Sequence, residues 1–279
     1  MRFTKMHGCG NDYVYLDAWA GALPADLPAL AQVVSDRHRG IGADGLIVIG
    51  PGQSGGDARM RMWNADGSES ELCGNGIRCA GKLAWDHGRL AGNRSPRIET
   101  GAGLLRVDLR FTGGACDGAS VSMGPPRLTP ATVPVALPGP DLVLHLHGLR
   151  LRAVGMGNPH AVCVVQDPEV FPVSDIGPRI EHDLHFPRRT NVEFTALRGT
   201  EHGLPVIRQR TWERGSGITQ ACGTGACAVT VAYILDRLIP GREAIVRLDG
   251  GDLRIAWPSD DAEVRMEGEA VTVFEGEWT

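Results

Sequence analysis

The chain has 279 residues, 42% hydrophobic and 22% charged, with a formal net charge of −5; these values describe a soluble globular protein long enough for two domains. No run of basic residues stands out, which argues against a nucleic-acid partner. No apolar stretch approaches the ~20 residues of a membrane span, and the first residues lead straight into strand-like sequence without a signal-peptide core, so the expected compartment is the cytoplasm.

In chain order, residues 2–5 read as a strand, 6–12 as a glycine-broken turn and 13–16 as a β-rich run. Residues 27–38 carry a helical stripe of Leu27, Leu30, Val33 and Val34, with Gly40 as its stop. Strands at 45–49 and 59–63 lead into a polar loop, 64–71, and then to Cys73-Gly74-Asn75-Gly76. The following helix shows Ile77, Ala80, Leu83 and Ala84 on one side and ends near His87-Gly88. Strands are expected at 104–111 and 119–123, and the proline-rich stretch 125–140 is the natural domain crossing. A long strand at 142–154 precedes the turn Gly155-Met156-Gly157-Asn158-Pro159-His160, a relative of the first turn. Further strands follow at 161–165, 191–197 and 204–212. The helix after Cys222 is apolar nearly all round as far as Pro240-Gly241, so it should be buried on every side. Short strands at 244–248, 253–257, 264–267 and 270–274 finish the chain.

The organising feature is a duplication. Cys73-Gly74-Asn75-Gly76 recurs as Cys222-Gly223-Thr224-Gly225, and Arg59-x-Arg61-x-Trp63 recurs as Arg208-x-Arg210-x-Trp212. The same 149 positions separate Cys73 from Cys222 and Trp63 from Trp212. Two related domains are expected, each a rolled sheet around one buried helix with a cysteine at its start.

A helix N-terminus offers free N–H groups and the positive end of the dipole, so a thiol there should ionise more easily and a carboxylate should bind. Two such sites gripping one substrate would set a sulfur on each face of the carbon bearing its carboxylate. That suits inversion of a stereocentre, in which one group removes the α-proton and an equivalent group delivers another from the opposite side. The pyridoxal route to the same chemistry needs a lysine, and only Lys5 and Lys82 occur, neither in a phosphate-binding loop. No metal is expected either. On a helix, Cys73 and Cys79 lie about 240° apart and Cys222 and Cys227 about 140° apart, and neither C-x-x-C nor H-E-x-x-H occurs. Cys79, Cys116, Cys163 and Cys227 read as core residues.

With these motifs the sequence resembles the diaminopimelate epimerase family. The resemblance rests on Phe3-x-Lys5-Met6-His7-Gly8-x-Gly10-Asn11-Asp12, Arg37-His38-x-Gly40-Ile41-Gly42-x-Asp44, Asn64-Ala65-Asp66-Gly67-Ser68, the two Cys-Gly-x-Gly stretches, Met156-Gly157-Asn158-Pro159-His160, Glu213-Arg214-Gly215 and Gly268-Glu269-Ala270. It implies an α+β fold of two pseudo-symmetric domains, 1–121 with the C-terminal strand 268–279 returning to it, and 122–267. It also implies cofactor-free and metal-free interconversion of LL- and meso-2,6-diaminopimelate in the cytoplasm by a homodimer, with no nucleic-acid or membrane partner. Cys73 and Cys222 are then the acid/base pair, and the amides at Gly74, Asn75, Gly223 and Thr224 hold the reacting carboxylate. Asn11, Asn64, Asn158, Asn191, Glu213 and Arg214 match substrate-binding positions, and His160 and Glu213 match positions that tune the thiols.

Three departures stand out. Gly45 replaces a glutamine that touches substrate in many members, Cys9 stands where other small or apolar residues are common, and Phe274 stands where some relatives have a tyrosine at the dimer contact. Two alternatives remain open at this point: a racemase of another amino acid on the same fold, and a thiol-based redox sensor pairing Cys73 with Cys222.

Overall fold

The computed structural model describes residues 1–71 and 73–279, which fall into two units: Met1–Ser122 with Glu267–Thr279, and Met123–Met266. In the first, β1 (Arg2–Gly8) and β2 (Asn11–Asp17) form a hairpin joined by Cys9 and Gly10 alone. Both turn residues have positive φ, 52° and 76°, the conformation a two-residue hairpin turn requires. The turn is therefore shorter than the 6–12 expected from the glycines.

Helix α1 (Leu27–Ser35) crosses from β2 to β3 (Gly45–Pro51), which runs parallel to β2. β4 (Ala58–Asn64) and the two-residue β5 (Glu69–Ser70) follow, then α2 (Gly74–Asp86), β6 (Arg97–Thr100), β7 (Gly103–Thr112) and β8 (Ala115–Ser122). β4 pairs antiparallel with β3 and β5 and parallel with β6; β6–β7 and β7–β8 are antiparallel. The last strand, β18 (Val271–Glu277), pairs antiparallel with β1.

Alternation along the strands separates the two helices. Val14, Leu16, Leu46 and Val48 join Leu27, Ala31 and Val34 of α1 in one apolar cluster, whereas Tyr15 and Ile47 point the other way, to α2. There the Tyr15 hydroxyl donates to the Gly76 carbonyl at 3.2 Å. A Cβ at Gly81 of α2 would lie 3.1–3.7 Å from Val107, Leu109 and Ile98, so small residues let this helix settle close to the sheet.

The second unit repeats the plan. β9 (Val143–Leu146), β10 (Leu149–Gly155) and β11 (Pro159–Val164) form an antiparallel run, and α3 (Val173–Glu181) crosses to β12 (Asn191–Glu201), parallel to β11. β13 (Leu204–Glu213) and β14 (Gly217–Ile218) lead to α4 (Gly223–Leu235), followed by β15 (Glu243–Arg247) and β16 (Asp252–Ala256), and β17 (Arg265–Glu269) carries the chain from this unit into the first. β13 pairs antiparallel with β12 and β14 and parallel with β15. Helix α4 is buried continuously from Gly225 to Tyr233, as its sequence led one to expect. The fold is thus a two-domain mixed α/β architecture of mostly antiparallel sheet with few helices.

Several boundaries differ from the sequence reading. α1 stops at Ser35, not His38, because the Asp36 carboxylate accepts from the His38 and Arg39 amides and turns the chain. Its buried stripe is Leu27, Ala31 and Val34, leaving Val33 exposed. α4 ends at Leu235, well before Pro240. Arg237 adopts φ +56° there, and the amides of Arg237 and Leu238 return to the Ile234 and Tyr233 carbonyls, the Schellman arrangement. The strand expected over 142–154 is two strands around a turn at His147 and Gly148. Helix α3 and strand β6 were not anticipated. Gly177 and Pro178 disguise α3, but a Cβ at Gly177 would lie 2.5 Å from the Trp212 ring, so the glycine lets the helix pack there.

Candidate active site

Each unit sets its cysteine at the cap of its buried helix. Cys73 precedes α2 with extended backbone (φ −126°, ψ 117°), and Cys222 precedes α4 in the same way (φ −120°, ψ 102°). The first-turn N–H groups of Gly74 and Asn75, and of Gly223 and Thr224, have no acceptor within their own helices.

In the first unit the Cys73 sulfur accepts from the Gly76 amide at 3.3 Å and lies 3.2 Å from Asn11 Oδ1. The same Asn11 oxygen takes a long bond from Asn75 Nδ2, 3.4 Å, and the Tyr13 hydroxyl lies beside the thiol. Asn11 is held from behind. Its Nδ2 donates to Asp44 at 2.7 Å, and Arg37 bridges Asp44 and Asp12 at 2.9 and 2.7 Å. The Lys5 ammonium adds a third cation contact, 2.5 Å from Asp12. Burial by itself would raise the Asp12 pKa, but Arg37 and Lys5 hold it below the ordinary carboxylate value. Asn64 closes β4 opposite Gly45, and its amide bonds Ser68 Oγ at 2.9 Å rather than joining this cluster.

Gly45 has no room for a side chain: a Cβ there would stand 2.1 Å from the Trp63 carbonyl oxygen. Cys9 is fully buried at the hairpin turn, with Arg78 Nη2 3.7 Å from its sulfur.

In the second unit Cys222 lies 3.6 Å from Thr224 Oγ1, which accepts from Asn158 Nδ2 at 3.4 Å. Asn158 Oδ1 lies 2.9 Å from His160 Nε2, and His160 Nδ1 lies 2.7 Å from Glu193 Oε1. Both His160 and Glu193 are completely buried. Ligand atoms of His160, Glu193 and Cys222 fall within 4.8 Å of one another, yet both ring nitrogens already have protein partners. Asn191 is committed to the backbone, donating to the Pro159 carbonyl at 3.2 Å and accepting from the Arg214 amide at 2.9 Å. The exposed Arg214 guanidinium reaches the Arg188 carbonyl at 3.0 Å. Glu213 accepts from Thr219 Oγ1 at 2.5 Å, and its pKa is raised chiefly by burial.

The expected easy ionisation of the thiols is overturned. Burial pushes the Cys73 thiol up despite the Gly76 amide and the Tyr13 hydroxyl. Cys222 is pushed well above the ordinary thiol value, first by burial and then by the negative charges of Glu213 and Glu193. Desolvation outweighs the helix terminus at both sites.

The motif reading named Lys5, Asp12, Arg37 and Asp44 without assigning them roles, and it missed Tyr13 and Glu193 altogether. Glu193 alternates with Asn191 and Thr195 along β12, opposite the apolar Val192 and Phe194. That pattern reads as a solvent-facing side, but all five residues are buried. Cys79, Cys116, Cys163 and Cys227 are buried, as core residues should be.

Among known proteins, the chain matches the family model described as diaminopimelate epimerase over residues 3–129 and 152–273. It is 48% identical to the diaminopimelate epimerase of Leptospira biflexa, covering 99% of this chain and 98% of that one. It is 44% identical to that of Geobacillus thermodenitrificans, covering 98% and 95%. In fold it is similar to a phenazine biosynthesis protein of the PhzF family from Bacillus anthracis, with TM-score 0.73, 17% identity and coverage of 100% and 99%. A hydroxyproline epimerase from Agrobacterium vitis aligns with TM-score 0.64 and 15% identity over 99% and 91% of the two chains.

Proposed function

The chain belongs to the diaminopimelate epimerase family, and on that premise we propose that Cys73 and Cys222 are the acid/base pair with which it interconverts LL- and meso-2,6-diaminopimelate. The observation that carries this assignment is the repeated cap: in each unit a thiol begins a buried helix beside glycines. The amides at Gly74, Asn75, Gly223 and Thr224 are assigned to the reacting carboxylate, which such helix starts favour. One thiolate removes the α-proton, and the other thiol returns a proton to the opposite face.

Asn11, Asn64, Asn158, Asn191, Glu213 and Arg214 are assigned to binding. Arg214 is suited to the distal carboxylate by its exposed fork of donors, and the Asp44–Arg37–Asp12 network supports Asn11 by fixing which way its amide points. His160 and Glu213 are assigned to tuning Cys222. We further propose that the reaction uses no cofactor. Both lysines are held by carboxylates, Lys5 by Asp12 and Lys82 by Asp86, which supports that reading over a lysine-bound one.

A homodimer is proposed through β18, whose Val273 and Phe274 are 53% and 46% exposed; Phe274 packs edge-on against Phe3 at 5.9 Å. Location in the cytoplasm is part of the same proposal. Among the described residues no helix is long and apolar enough to cross a membrane.

The test is exchange in heavy water with LL-diaminopimelate under reducing conditions, on the wild type and on Cys73→Ser and Cys222→Ser. The wild type should incorporate deuterium at the inverted α-carbon. Each variant should lose epimerisation by about 10²–10⁴-fold, while a halogenated analogue that needs only one base is still eliminated slowly. Wild-type epimerisation by either variant would refute the pair.

A further inference from the structure

We propose that Glu193 is a positioning residue for the epimerase reaction, holding the Asn158 amide in its working orientation through the ring of His160. The inference rests on the assignment of Asn158 to substrate binding.

Direction of hydrogen bonding carries the first part. His160 Nδ1 lies 2.7 Å from the Glu193 carboxylate and Nε2 lies 2.9 Å from the side-chain oxygen of Asn158. With an oxygen at each end, we take the ring as donating from both nitrogens. A ring donating twice inside the protein needs a negative partner, and Glu193 supplies one beyond the reach of solvent. With its oxygen engaged by His160, Asn158 presents its NH2 group to Thr224 Oγ1 at 3.4 Å, and that hydroxyl lies 3.6 Å from the Cys222 sulfur. A single line of polar contacts therefore runs from Glu193 to the reacting thiol.

The first unit builds the corresponding strand pair without a carboxylate at this place. Strand register makes Ile47 the counterpart of Glu193 and Tyr13 the counterpart of His160, because Gly45 pairs with Tyr13 as Asn191 pairs with His160. The same parallel strand pair is built in the first unit with an aliphatic residue. Glu193 moreover keeps its Oε2 buried without a partner among the described residues, as does Gln209 at Oε1. The charged and titratable groups facing this ring and thiol are Glu193 from β12, Glu213 from β13 and Cys222 from the start of α4. Glu193 is the one hydrogen-bonded to the ring.

The experiment compares Glu193→Gln, Asn158→Ala and the double variant as reduced full-length enzymes, measuring kcat and KM with LL-diaminopimelate, together with imidazole nitrogen NMR of His160. The carboxamide introduced by Glu193→Gln can still accept from Nδ1 but carries no charge. KM should rise by about tenfold or more in Glu193→Gln, with the melting temperature little changed. The double variant should be no worse than Asn158→Ala alone, because the two residues act in series. His160 should show protons on both nitrogens in the wild type and on one in Glu193→Gln. Wild-type KM in Glu193→Gln, or additive losses in the double variant, would overturn the proposal. If Glu193→Gln does not fold, the wild-type spectrum decides, and a singly protonated ring there overturns it. If Asn158→Ala itself keeps wild-type KM, the binding assignment of Asn158 fails instead, which is a separate result.

Discussion

Ile47 on β3 and Glu193 on β12 occupy matching places in the two units, each pressed against the third residue of its unit's buried helix. A Cβ at Gly76 would lie 2.6 Å from Ile47 Cδ1, and one at Gly225 would lie 2.8 Å from Glu193 Oε1. One plan therefore gives the two thiols unequal surroundings. Cys73 has the neutral Asn11 and Tyr13 beside it, and Cys222 has two carboxylates.

Unequal surroundings predict the pH dependence. Both thiols are raised above the ordinary thiol value, so each ionises only as pH climbs, and Cys222 is the one opposed by neighbouring negative charge. The working form needs one thiolate and one thiol. Cys73 should ionise first while Cys222 stays protonated. The value of kcat/KM should therefore rise from neutral into alkaline pH, and should fall only where Cys222 begins to ionise. Steady-state rates across that range under reducing conditions check this; a profile that declines steadily from neutral pH contradicts it.

The duplication made much of this architecture readable. Helices after Cys73 and Cys222 were expected at their observed starts, and the all-round burial of α4 follows from its composition. Helix α3 escaped because Gly177 and Pro178 break local helix rules while Trp212 packs over the glycine. Its counterpart α1 begins 146 positions earlier, as Leu27 against Val173, so the repeat carried a signal that local propensity hid. Glu193 escaped because polar alternation cannot distinguish a strand face turned to water from one turned to a buried helix. The acidity of the thiols was misread because a helix terminus is visible in sequence, and the desolvation that outweighs it is not.

Asp236, just past the end of α4, should link unit-two stability to acid. Burial by itself would raise its pKa, but Arg150 and Arg152 hold it below the ordinary value of 3.8. Arg150 donates to it at 2.7 and 3.0 Å and Arg152 Nε at 2.7 Å. A carboxylate depressed on folding stabilises above its unfolded pKa, and that stability is lost as pH falls through the folded pKa. Asp236→Asn should cost ~1–2 kcal/mol near neutral pH, the half-exposed Arg150 keeping the figure modest. The gap in melting temperature between variant and wild type should narrow as pH drops below 3.8. A gap that stays constant into acid would show that the carboxylate's charge is not what stabilises this corner.

Gly225→Ala sets packing against catalysis most directly. The added methyl would sit 2.8 Å from Glu193 Oε1, 3.0 Å from Gln209 Nε2 and 3.1 Å from the Cys222 sulfur. Three polar groups cannot all retreat, because Glu193 is bonded to His160 and Gln209 to Thr211 Oγ1 at 2.9 Å. The sulfur is the group with the loosest tether, so it should move. Displacing a reacting atom by about 1 Å costs on the order of 10²-fold in rate. Alanine is also the better helix former by up to ~1 kcal/mol, which offsets part of the strain and keeps the protein folded. Gly76→Ala is the matched control. Its methyl meets the terminal carbon of Ile47 at 2.6 Å, while the Cys73 sulfur lies farther off at 3.6 Å. Ile47 can rotate away, so that variant should lose about tenfold less activity. Measured together with melting temperatures, equal activity losses in the two variants would mean that Glu193 and Gln209 do not crowd the Cys222 helix start in the way these distances require.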